Sequence, residues 1–262
     1  MLRLLLRWWH ARMTVASAPG PGIDRAARKP RVLVLGVYLA DRSNTVAHLV
    51  AAFSRSARFE VTQRWVAIAG EPPGAAVAAV TVEQLRVATP KFAILNRLLA
   101  QSDWRNYDYL LFCDDDIVVP RGFLDAFLSY QTACDFALAQ PARTRTSYAD
   151  RKFARARRGI RARRTRFVEI GPLFCVRADL APRLLPFDES SPMGWGYDFV
   201  WPLLAEAAGL RLGIVDATPV DHSLRGQASA YSSTAASRAM AAYLERTPHL
   251  KKHDAFTVLE TY

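Results

Sequence analysis

Short continuous apolar runs, each closed by polar or turn-forming residues, alternate along this chain with stretches whose apolar positions recur every three or four residues. The first run, RVLVLGVYLA from Arg31, is rich in β-branched side chains and predicts a strand buried on both faces. Asp41 or Ser43 can cap a helix reaching about Ser56, with Val46, Leu49, Val50 and Phe53 on one face. FEVTQRWVAIA alternates as a strand, and Pro90, well suited to a first helical position, opens a helix through PKFAILNRLLAQ. YDYLLFC predicts the next strand, followed by a helix from about Arg121 to Gln131 and the strand DFALAQPA. Beyond a basic stretch come the strand RFVEIGPLFCV, a short helix to Leu185, a helix from Tyr197 to about Ala208 and the strand LRLGIVDA. This alternation predicts an α/β fold, a mostly parallel central sheet flanked by helices on both faces.

At 262 residues and half apolar, the chain is globular and long enough for one large domain or two small ones. Residues 14–30 hold prolines and glycines without a periodic apolar pattern and form a linker. Before them, MLRLLLRWWHARM puts Arg3, Arg7 and His10 on one helical face and Leu2, Leu4, Leu5, Trp8 and Trp9 on the other, which suits a membrane interface. The rivals are a secretory signal, whose apolar core Arg7 would interrupt, and a true start at Met13. No apolar run is long enough to span a bilayer. Cys113, Cys134 and Cys175 sit in or beside apolar runs without ligand spacing, as buried thiols of a reducing compartment do, so a cytoplasmic protein resting on the membrane face is expected.

One stretch breaks the apolar pattern abruptly. In LLFCDDDIVVP, Asp114, Asp115 and Asp116 stand where a greasy strand ends, and ligands of open α/β sheets bind at such ends. Adjacent carboxylates repel, and a divalent cation compensates them most simply: Asp114 and Asp116 project to one side of an extended strand, and hard oxygens suit Mg²⁺ or Mn²⁺. The plainer alternative is a solvated acidic turn. Asp114, Asp116 and Val118 also match the nucleophile motif of haloacid-dehalogenase-type phosphatases, but that family carries it on its first strand.

The stretch more closely resembles the Asp-x-Asp motif of GT-A glycosyltransferases, the nucleotide-diphosphosugar transferase fold. The resemblance implies a nucleoside diphosphate sugar as donor, with Asp114 on ribose or metal and Asp116 on the metal bridging the phosphates. Asp115 goes with the donor group, its own role open. SPMGWGYDFVW resembles the Trp-Gly-x-acid motif of inverting members, implying Asp198 as general base and Trp195, Gly196 and Tyr197 on the acceptor side. The alternative for Asp198 is a helix cap. His222, in VDHSLRG, follows in the chain order in which such enzymes complete the metal shell. YDYLLFCDDDI, AQPA, FVEIGPLFCVRADL, GWGYD and GIVDATPVDH also occur in the order of a plant and bacterial family of unknown function, once labelled lysine-ketoglutarate reductase trans-splicing related. That likeness covers roughly residues 105–225.

Glu169 faces a sugar or pairs with an arginine, and Lys91 and Asn96 either reach the nucleotide or lie on the surface. The net charge of +11 is local: residues 143–166 hold eleven Lys or Arg against Asp150. With few core-forming residues, this segment is expected as an exposed loop or helix, closing over a diphosphate, recruiting an anionic acceptor or meeting an anionic membrane. A nucleic-acid binder is the non-enzymatic alternative, although it leaves the three Asp unexplained. The expected organisation is an amphipathic segment and linker at 1–30, a GT-A-like catalytic domain at 31–226 and a helical tail at 227–262. The expected reaction is metal-dependent, inverting transfer of a sugar to a glycan or lipid-linked acceptor hydroxyl.

Overall fold

The apolar run at Arg31 forms β1 (Arg31–Leu39), and its alternation splits the core: Val32 and Val34 face one hydrophobic cluster, Leu33 and Leu35 the other. The computed structural model describes residues 28–70, 72–225 and 231–262, so the amphipathic N-terminal segment lies outside the described residues. The further strands are β2 (Glu60–Ile68), β3 (Thr81–Leu85), β4 (Tyr109–Cys113), β5 (Phe136–Arg143), β6 (Ala162–Thr165), β7 (Leu173–Arg177), β8 (Arg211–Val220) and β9 (Val258–Thr261). They join in one sheet in the order β3-β2-β1-β4-β7-β5-β8-β6-β9, in which β7 and β6 run against the rest.

Helices cover both faces. On the first, α1 (Val46–Ser54) lays Val46, Leu49 and Phe53 on Val32, Val34 and Leu111, and the four-residue helix α2 (Ala75–Ala78) adds Val77 to the same cluster. On the second, α3 (Lys91–Ala100) lays Phe92, Ile94 and Leu95 on Leu33, Leu35 and Phe112. Helix α4 (Phe123–Ala133) joins the first cluster through Phe123 and Phe127. The short α5 (Ala181–Leu184) and α6 (Tyr197–Ala207) join the second. Two further helices, α7 (Ser233–Arg246) and α8 (Lys252–Ala255), lead into β9. Among the described residues, no helix is long and apolar enough to cross a membrane.

Four features depart from the sequence-based expectation. β3 was not foreseen, because this edge strand buries none of its five residues and lacks a strong apolar signal. The run FVEIGPLFCV is a strand only from Leu173, beyond Gly171 and Pro172. The C-terminal stretch is helical only in part: β9 pairs with β6, and Tyr243 of α7 is buried against Tyr197.

The fourth departure is the basic segment, which is not simply an exposed loop or helix. Arg143 and Arg163 are fully buried, and Ala162–Thr165 is an inner strand between β8 and β9. Burial of a guanidinium is tolerable when its donors find acceptors. Arg163 Nε donates to Asp216 at 2.8 Å, and its other nitrogens donate to the carbonyls of Phe153 at 3.0 Å and Arg155 at 3.1 Å. Arg143 Nη2 donates to Glu169 at 2.8 Å and also to the Gly171 carbonyl.

Candidate active site

The C-terminal end of β4 opens into a cavity of about 760 Å³ whose walls include Asp114, Asp115, Asp116, Glu169, Asp198 and His222. Backbone pairing explains why residues so far apart in sequence converge. Past β4 the chain turns, with Thr45 N–H and Oγ1 donating to the Asp115 carbonyl at 2.6 and 2.8 Å. Val118 then exchanges hydrogen bonds with Asp221, N to O at 2.9 and 3.0 Å, and this bridge puts His222 beside Asp116.

The three aspartates meet different partners. Asp114 pairs with Lys91 Nζ at 2.5 Å, at the first turn of α3. Asp115 is 3% exposed, accepts from Leu39 N–H at 2.8 Å and pairs with Arg225. Burial pushes its carboxyl up to about 6 despite Arg225. Asp116 stands 3.3 Å from both His222 Nε2 and Arg225 Nη2. Burial alone would raise Asp116, but His222 and Arg225 outweigh it and hold the carboxyl below its ordinary value.

Across the cavity, the turn before α6 needs two glycines. Gly194 has φ +74°, and a Cβ there would fall 2.2 Å from the buried Phe92 ring; Gly196, at φ +100°, begins the helix. Ser191 Oγ donates to the Trp195 carbonyl at 2.7 Å and fixes the same turn. Asp198 follows in the first helical turn and lines the cavity; its Oδ1 is sealed from solvent and has no hydrogen-bond donor among the described residues. Burial, reinforced by the nearby Glu169 carboxylate, pushes Asp198 up to about 7. Glu169 is 7% exposed; burial raises it too, while Arg143 opposes the rise.

Solved structures share this architecture at low sequence identity. TarS residues 1–349 from S. aureus in complex with UDP-GlcNAc superpose with a TM-score of 0.57 at 14% identity, over 86% of this chain and 69% of that one. GalNAc-T7 with UDP, GalNAc and Mn²⁺ gives 0.53 at 11% identity, over 75% of this chain and 43% of that one. The fold is GT-A. The chain spans less than half of GalNAc-T7. No protein-family model and no curated protein matches the chain, so the likeness to the plant and bacterial family stands on its motifs alone.

Within the GT-A fold, most of the expected site residues converge and three depart. Asn96 does not reach the cavity; its amide bonds the Phe187 backbone in both directions, at 2.8 and 2.9 Å. Tyr197 is 1% exposed and stacks on Trp201 instead of reaching an acceptor. Asp114 does not meet the other expected metal ligands, and among the described residues no three acids, imidazoles or thiols form a metal cage. The pair that remains does fit a cation: an imidazole nitrogen faces a buried carboxylate oxygen, Asp116 Oδ1, that lacks a hydrogen-bond donor among the described residues. One or two protein ligands suffice for Mg²⁺ when phosphate oxygens and water supply the rest.

Arg225 was missed by sequence reasoning, as were Arg143, Arg151, Tyr148 and Tyr231, all on the cavity wall. The one hint of Arg225 was its place three residues after His222. Tyr148 and Tyr231 gave no signal, since each sits in a polar stretch without periodicity.

Proposed function

We propose that this protein is a glycosyltransferase that takes a sugar from a nucleoside diphosphate donor and passes it to an acceptor hydroxyl. The observation that carries the reading is one cavity with a two-sided chemistry. Its acidic wall, Asp114–Asp116, is interleaved with the cations Lys91 and Arg225, and another part of its wall carries Asp198, whose carboxylate has no ion-pair partner among the described residues. The GT-A fold and the UDP-bound state of its structural neighbours favour a uridine diphosphate donor.

On this reading Asp116 and His222 hold Mn²⁺ or Mg²⁺, which would neutralise charge on the departing diphosphate. Lys91 and Arg225 are close enough to the carboxylates to turn toward phosphate oxygens when the donor enters. Asp198 accepts the proton of the attacking hydroxyl as that oxygen bonds the anomeric carbon and the bond from that carbon to the phosphate oxygen breaks. A single base and a single displacement imply inversion at the anomeric carbon. Glu169 and Trp195 line the cavity on the side of Asp198 and supply a hydrogen-bond acceptor and an apolar face for a sugar acceptor.

The test is a thermal melt of the full chain with UDP, with Mn²⁺ and with both. Together they should raise the melting temperature by several degrees, and Asp116→Asn should abolish the rise while UDP-sugar hydrolysis falls at least a hundredfold. Equal stabilisation of wild type and variant would overturn the donor and metal assignment.

A further inference from the structure

Eight of the eleven cations in the basic segment fall into two populations. Arg143 and Arg163 are buried and paired, and Arg164 and Arg166 pair with Glu260 at 2.5 Å and Glu206 at 2.6 Å. Arg145, Lys152, Arg158 and Arg161 are exposed, and none has a carboxylate partner among the described residues. An unpaired surface cation is ordinary; four between residues 145 and 161, against Asp150 as the one acid there, make a strongly basic patch.

This patch is held, and its place is set by backbone bonds. Ala156 N–H donates to the Arg143 carbonyl at 2.8 Å, and Arg157 N–H donates to the buried Asp216 at 2.9 Å. Ala217 N–H donates to the Arg161 carbonyl at 2.8 Å, toward the end of β8 that leads to His222. Between these anchors, Tyr148, Asp150 and Arg151 line the cavity itself. The same segment therefore walls the acceptor side, where Arg151 draws Asp198 downward, and carries free cations outward from it.

We propose that these cations form a track for the acceptor, and that the acceptor is an anionic glycan, a chain of sugars bearing phosphate or carboxylate groups. This rests on the glycosyltransferase reading and names its acceptor class. The terminal sugar would enter beside Asp198 and Glu169, and the negative groups of the following units would lie along Arg151, Lys152, Arg145, Arg158 and Arg161. A bilayer fits less well, because Phe153, the only phenylalanine of the segment, is packed under it against Phe167 and Phe256. Single-stranded nucleic acid fits less well because the exposed positions of the segment include no aromatic side chain for stacking bases.

The experiment measures binding of the full chain to fluorescent polyglycerol phosphate bearing sugars, to polygalacturonate, to neutral dextran, to a single-stranded oligonucleotide and to phosphatidylglycerol vesicles, at low and at physiological salt. Wild type should bind at least one of the anionic glycans, more weakly as salt rises, and ignore dextran. A variant with Arg145, Lys152, Arg158 and Arg161 each changed to Ser should bind about tenfold or more weakly, while melting as wild type and keeping its UDP response. Unchanged glycan binding by that variant, or tighter binding to the oligonucleotide or vesicles than to either anionic glycan, would overturn the proposal. Because UDP is scored separately, loss of the track and loss of the donor reading are distinguishable.

Discussion

Asp198 carries the sharpest conflict between stability and chemistry. Its carboxyl is pushed up to about 7 by burial and by Glu169, above the ordinary value of 3.8. A group that holds its proton more tightly when folded stabilises the fold below its unfolded value, and that contribution is lost as pH rises through about 7. The same ionisation creates the base. Activity should therefore climb about tenfold per pH unit below 7 and level off above it. Asp198→Asn should lower turnover by about 10²–10⁴ while melting higher than wild type at pH 8, with the difference vanishing near pH 4. Melting curves across pH, beside rates at saturating donor, check both halves; an Asn variant less stable at pH 8 would contradict the assigned environment. That Asp114, Asp116, Asp198 and His222 belong around one cavity was legible in the sequence, because acids between apolar flanks, and motif order, are visible there. Arg225 was not, because a cation in a turn has no period and its partner lies 110 residues away.

Among the elements, the turn into α6 depends most on one small residue. Gly194 combines a left-handed φ with a site only 2.2 Å from Phe92, whose ring is fully buried between Phe187 and Tyr197. Gly194→Ala should cost about 3 kcal/mol in urea unfolding, the sum of an unfavourable backbone and an overfilled core. The distortion should reach Trp195 and Asp198 as well, so UDP-sugar hydrolysis should fall with stability. Strong apolar strands such as β1 and β4 were readable, as were the amphipathic faces of α1 and α3. β3 and β6 were not: the first is an edge, and the second, ARRT, hides two arginines whose fates differ. Arg163 is neutralised by Asp216 from a strand 53 residues on, and no local pattern announces that pairing.

At the scale of the whole molecule, a mostly parallel sheet was expected, but not which two strands reverse. β7 lies between β4 and β5, and its reversal lets the chain double back from the basic segment so that Glu169 and Asp114 share a cavity. β9 then closes the far edge, with Tyr262 N–H donating to the Ala162 carbonyl at 2.9 Å, so the last residues of the chain brace the strand that buries Arg163.

The pinning of the basic segment also decides what a protease will see. Eleven consecutive candidates for trypsin lie between residues 143 and 166, yet cleavage needs backbone that can leave the fold, and charge alone does not provide it. Scission should begin at the exposed Arg145 and Arg158, which lie between the backbone anchors, and spare Arg143 and Arg163, leaving fragments that co-elute until denatured. Mass spectrometry of a timed digest would show the order.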